Sequence, residues 1–172
     1  MSIDQSKTSE YFCQELDNAK TYAEVWKIVK KTVEYSMRKR RGSMMLFLDN
    51  LPLQLGAYYP VGTNNIVLNR ALVDVVETKI NSKETINALI YNLLLHEYLH
   101  ALGEMSETAV RQQVIEVANK SFGETHQATV LARKSPWMLL KDLPLAALAG
   151  SSVPKGSMEI VRDFEGADRY IV

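Results

Sequence analysis

Two of the chain's three histidines stand four residues apart, in His96-Glu97-Tyr98-Leu99-His100. They follow the longest apolar stretch of the sequence, Ala88-Leu89-Ile90-Tyr91-Asn92-Leu93-Leu94-Leu95. Residues four apart lie on one face of a helix, so both imidazoles can reach a single metal ion. Glu97, one residue past the first histidine, is placed to reach a water on that ion. The bland alternative has both histidines hydrogen-bonded in a helix core and Glu97 exposed. Two features favour a site instead. The approach to His96 is apolar, as a buried active-site helix requires, and Gly103 follows where a helix can end on a left-handed residue.

At 172 residues the chain suits one domain with a real core, and its 47% apolar content is ordinary for a globular protein. Lys+Arg and Asp+Glu number 20 each, so nothing global favours nucleic acid or an anionic membrane. The one cysteine, Cys13, has no internal partner, and reducing surroundings are the simple reading. The polar N-terminus has no apolar signal core and no segment reaches membrane-spanning length, so a soluble, cytoplasmic protein is expected.

Along the chain, a helix is expected from Ser6 to about Asp17. Thr21 and Glu24 form a capping box for a second helix to about Arg38, with Val25, Ile28, Val29 and Val33 on one stripe. It runs into Arg38-Lys39-Arg40-Arg41, which reads as a solvated helix end suited to the dipole rather than a phosphate contact. Met44 to Leu48 reads as a buried strand. Leu55 to Tyr59 and Asn65 to Asn69 read as a hairpin turned at Pro60-Val61-Gly62-Thr63-Asn64. Asn81 and Glu84 cap the motif helix, and Ser106 caps the next, which stops near Phe122-Gly123. A shorter helix starts near His126. Residues 136–154 are rich in Leu, Ala and Pro, and the tail Met158 to Phe164 can add a strand.

The order strand, hairpin, "NNIVLN", then a helix with "LLLHEYLHALG", resembles the minimal zincin core. The layout is similar to compact ImmA/IrrE-type and SprT-type peptidases, and "HEYLHALG…FGETH" resembles archaeal zincin-like proteins. The resemblance covers about residues 44 to 135. It implies an α+β fold in which a small three- to four-stranded sheet packs on the H-E-x-x-H helix with additional helices. The chain then divides into N-terminal helices (1–43), a metallopeptidase core (44–135) and a C-terminal extension (136–172). The resemblance implies a Zn2+ cofactor and a peptide or protein substrate paired with a sheet edge. Ile66-Val67-Leu68 is the expected edge. Only His96, Glu97 and His100 carry over residue by residue.

Such a site needs three protein ligands and an open position for water. The metzincin third-ligand position falls on Ser106, a poor zinc ligand, and no thermolysin-like N-E-x-x-x-D follows. His126, the remaining histidine, is the first candidate. Glu107, just past the Gly103 turn, is the alternative, and Glu116 ranks third. A helix from Ser106 to Ser121 would carry the chain on the order of 20 Å from the motif, which counts against His126 unless the helices cross steeply or the chain returns.

The expected activity is zinc-dependent peptide hydrolysis. The metal polarises the scissile carbonyl and lowers the pKa of its water, and Glu97 acts as general base. Tyr58, Tyr59 and Tyr98 are candidates to assist the oxyanion. One rival is a non-catalytic zincin-like regulatory or protein-interaction module, whose metal would have four protein ligands or whose cleft would be closed. The other is a mostly α structural protein with a fortuitous motif. No oligomeric state follows from the sequence.

Overall fold

The computed structural model describes residues 4–141 and 158–162. Their order is α1 (Gln5–Asp17), α2 (Tyr22–Met37), β1 (Met45–Asp49), β2 (Ala57–Tyr58), β3 (Asn65–Asn69), α3 (Arg70–Lys79), α4 (Lys83–Ala101), α5 (Glu107–Phe122) and α6 (Gln127–Lys134). A 3-10 turn at Pro136–Leu140 and strand β4 (Glu159–Ile160) complete them. The fold is α+β, with a four-stranded mixed sheet in the order β2-β3-β1-β4.

The apolar run dictates the centre. Residues Ala88 to Leu95 are buried all the way round α4, and a helix apolar on every face has to lie inside. It packs against every other α-helix described and against β2 and β3. Full burial of each leucine is worth about 1.5–3 kcal/mol. Its polar residues are tied down: the Asn87 amide donates to the Leu16 and Ala19 carbonyls at 2.9 Å, closing α1 onto α4. Tyr91 shares a buried 2.8 Å hydrogen bond with Thr32 of α2. Tyr98 meets Trp26 edge-on, with ring centroids 4.8 Å apart.

The capping signals settle most boundaries. Thr21 Oγ1 accepts from Glu24 N–H, but the Glu24 carboxylate takes the Lys20 N–H rather than that of Thr21, so only half of the capping box forms. Ser82, not Asn81, caps α4 by accepting from Thr85 N–H. Ser106 caps α5, and Gly123 at φ 82° ends it. The hairpin is present, with Ala57 opposite Leu68 and Tyr58 opposite Val67. Of the expected segment Met158 to Phe164, Glu159–Ile160 adds a strand antiparallel to β1, and residues 163 and 164 lie outside the described residues.

Two expectations need correcting. Ile66-Val67-Leu68 is not an edge: β3 lies inside the sheet, between antiparallel β2 and parallel β1. All three residues are buried; an unbroken apolar run marks an internal strand, where an edge strand alternates. The second correction is α3, which sequence reading left unassigned. Asn69 caps it by accepting from Leu72 N–H, and Leu72, Val73 and Val76 face the core. Asn69 also gathers the 51–55 loop, donating to the Leu51, Pro52 and Leu55 carbonyls and accepting from Leu51 N–H.

The basic cluster is structural at its last member. The Arg41 guanidinium donates to the Ala101 and Thr63 carbonyls, to Asn64 Oδ1 and to the Tyr59 hydroxyl. Its backbone N–H donates to the Tyr98 hydroxyl at 2.8 Å. It thereby clamps the β2–β3 turn to the end of α4. Among the described residues, no helix is long and apolar enough to cross a membrane.

Candidate metal centre

The centre is assembled where α4 stops and α5 starts. Gly103 takes φ 109°, a value only glycine adopts without strain. Its N–H bonds the His100 carbonyl, and Glu104 N–H bonds the Leu99 carbonyl, the two bonds of a Schellman stop. This turn lays the Glu104 carbonyl 2.7 Å from His100 Nδ1. A carbonyl only accepts, so Nδ1 carries the proton, and in the neutral ring Nε2 is left with its lone pair. A backbone carbonyl holding the outer imidazole nitrogen in this way is the usual support of a metal-binding histidine.

Ser106 then caps α5 and sets Glu107 in the first turn. The Glu107 carboxylate reaches back to both imidazoles, with Oε2 3.0 Å from His96 Nε2 and Oε1 2.9 Å from His100 Nε2. Two acceptors facing each other at such distances repel unless a cation or a proton lies between them. Among the described residues, His96, His100 and Glu107 form the one group able to hold a metal ion, with ligand atoms all within 4.8 Å of one another. Tetrahedral sites with bonds of about 2.0–2.1 Å set ligand atoms roughly 3.3 Å apart. Small side-chain shifts close that difference. Burial is the largest influence on His96 and lowers its pKa, against the pull of Glu107, favouring the neutral form that binds metals.

Glu97 lies on the inner side of this group and is 9% exposed. Burial, and then the charge of Glu107, push its carboxyl up to about 8, while a hydrogen bond from the Tyr59 backbone N–H works the other way. That bond links the acid to the sheet edge. β2 lies close to α4 because residue 56 is glycine: a Cβ there would stand 2.5 Å from Leu93 Cδ2. A cleft of about 520 Å³ opens beside the group, walled by Gly56 and Ala57, by His96 and Glu97, and by α5 and the end of α6.

The structure brings together His96, Glu97, His100 and the alternative third residue, Glu107. His126 is elsewhere, which corrects its first rank. It caps α6, its Nδ1 accepts from Ala128 N–H, its Nε2 lies 2.8 Å from Asp17 Oδ1, and its ring stacks on Phe122. The physical reason is helix length: α5, at 16 residues, carries the chain about 24 Å from its start, and the chain comes back only along α6. Glu116 accepts from Gln112 Nε2 on α5, nine positions beyond Glu107 and outside the group. The Tyr59 hydroxyl donates to the Thr63 carbonyl and the Tyr98 hydroxyl is held at Arg41, so neither serves the site as a free hydroxyl. Sequence reading also missed Arg111, Arg133 and Lys134 on the cleft wall. Arg111 had a signal, since it follows Glu107 by one helical turn.

No family model, curated protein or solved structure matches the chain. What this centre can do is read from its residues and their geometry.

Proposed function

We propose that this protein is a zinc-dependent peptide hydrolase with a zincin-like core. The observation that carries the reading is the convergence of two imidazole nitrogens and the Glu107 carboxylate, with the buried Glu97 carboxyl beside them in an open cleft. Two nitrogens and one carboxylate oxygen are the donor set of a catalytic zinc site with a position to spare. Bound there, zinc would polarise the scissile carbonyl and acidify a water.

The rest falls to the chain's own residues. Glu97 takes the proton of the attacking water and passes it to the leaving amine. Burial and the Glu107 charge raise its pKa, and a cation bound beside it would draw it back down. The Tyr59 N–H fixes the direction of its carboxylate. Ala57 and Leu68 form a non-hydrogen-bonded pair, because the flanking Asn69 N–H bonds the Gly56 carbonyl. The N–H and C=O of Ala57 therefore face the edge of β2 that no described strand covers, where an extended substrate can add as a strand. A strand there runs alongside Tyr59 and so past Glu97.

The test compares zinc-loaded wild type and Glu97→Gln on a mixed peptide library and on an unfolded protein, at equal zinc content. Hydrolysis by the wild type and a loss of on the order of a hundredfold or more in the variant are expected. Equal rates, or no cleavage by the zinc-loaded wild type, would remove the reading.

A further inference from the structure

We propose that the cleft beside the metal centre selects substrates through a carboxylate, held by Arg111, Arg133 and Lys134. This rests on the peptide-hydrolase reading and names its substrate class.

The three cations come from two elements and line the same cleft. Arg111 stands on α5, one turn past Glu107, close enough to His96 for its charge to act on that imidazole. Arg133 and Lys134 close α6, the helix that brings the chain back from the His126 end of the molecule. Among the described residues, none of the three has an ion-pair or hydrogen-bond partner, although other charged residues do, such as Arg70 with Glu159 at 2.9 Å. Arg133 and Lys134 suit the dipole of their helix end, but Arg111 sits inside α5 and has no such reason.

Two acidic groups, Glu97 and Glu107, line the same cleft, Glu107 one helical turn before Arg111. Glu107 is turned to the two imidazoles, and Glu97 to the Tyr59 N–H. The two carboxylates are therefore engaged with the histidines and the Tyr59 N–H, and the three cations are the charges left to face a ligand. The size of the cleft, about 520 Å³, fits a few residues of a peptide rather than a nucleic-acid backbone. Gln54, Asn92 and Ser135 line it as well. The Asn92 side chain is 2% exposed and spends its amide hydrogens on the Ala88 and Ala128 carbonyls, leaving Oδ1 without a donor. Two guanidiniums and an ammonium are the natural receptor of a carboxylate.

A carboxylate can come from an acidic side chain or from a peptide's C-terminus, and three short peptides of otherwise identical sequence separate these sources. One is amidated and carries Glu, one is amidated and carries Gln, and one carries Gln with a free C-terminus. Each is titrated into zinc-loaded Glu97→Gln full chain, with calorimetry or Trp137 fluorescence as the readout. A parallel titration uses a protein in which Arg111, Arg133 and Lys134 are also changed to Gln. All three are exposed, so the fold should survive, which far-UV circular dichroism checks.

At least one carboxylate-bearing peptide should bind about tenfold tighter than the amidated Gln peptide. The preference should shrink with added salt and vanish in the Gln-substituted protein. The tighter of the two identifies the source. Equal binding of all three peptides, or a preference that survives removal of the three cations, would overturn the inference and leave the hydrolase reading standing. A cation-dependent preference in a protein whose wild type cleaves nothing would keep the inference and sink the hydrolase reading. No binding of any peptide would overturn both.

Discussion

Glu97→Gln should make the metal-free protein more stable, and by an amount that depends on pH. Burial holds the folded carboxyl at about 8, against an ordinary value of 4.5. Between those two values the folded chain binds a proton that the unfolded chain has already released. The folded state is therefore favoured at the acid end of the window, and wild-type stability falls as pH rises through it. At about 1.4 kcal/mol per pH unit, the three units from 4.5 to 7.5 amount to about 4 kcal/mol, and water entering the cleft reduces this to about 2–4 kcal/mol. Glutamine carries no such proton. In chelator, urea unfolding at pH 5 should show little difference between wild type and variant. At pH 8 the variant should lead by about 2 kcal/mol or more, or roughly 4–8 °C in Tm for a chain of this length. Added zinc should narrow the gap, because a cation favours the carboxylate. A gap that does not change between pH 5 and pH 8 would refute the burial argument, and a destabilised variant would show Glu97 to be a structural acid.

Asn69→Ala should cost about 2–4 kcal/mol, since it removes the α3 cap and the amide that gathers three loop carbonyls; thermal unfolding measures it, and a loss under 1 kcal/mol would contradict that role. Asn69→Asp should recover the cap but not the loop. Arg41→Ala should cost about 1–3 kcal/mol through four lost guanidinium contacts, with Arg41→Lys recovering only part. If Arg41→Ala unfolded like wild type, the clamp between the hairpin turn and α4 would carry no weight.

The motif helix, its Gly103 stop and the Ser106 cap were legible because each depends on local chemistry: an apolar run, a positive φ, a side-chain acceptor at the right offset. The hairpin was legible for the same reason. What the sequence obscured was long-range. β3 looked like a substrate edge, but its burial follows from β1 pairing alongside it, which no local pattern reports. Segment 70–79 is rich in valine and follows a strand directly, so its one helical stripe was hidden, although Asn69 was there as a cap. The third ligand turned on a geometric choice. A rare residue type pointed to His126, and a tight turn pointed to Glu107; in the fold it is Glu107 that stands beside both imidazoles, because α5 carries His126 away. The cationic lining could not be seen at all, because Arg111 and Arg133 share one cleft only once α6 packs on α5. The stretch 142–157 and the end of the C-terminal extension lie outside the described residues.

Zinc titration against a competing chelator, on wild type, Glu107→Ala and His126→Ala in one buffer, tests the metal centre most directly. One zinc per chain is expected for the wild type, at on the order of nanomolar affinity or tighter. Glu107→Ala should weaken it beyond the 10–100-fold or so that outlying changes produce. His126→Ala should bind zinc like the wild type and lose only its α6 cap and Asp17 contact. A wild type that takes up no zinc, or a His126→Ala loss larger than that of Glu107→Ala, would contradict the centre built from His96, His100 and Glu107.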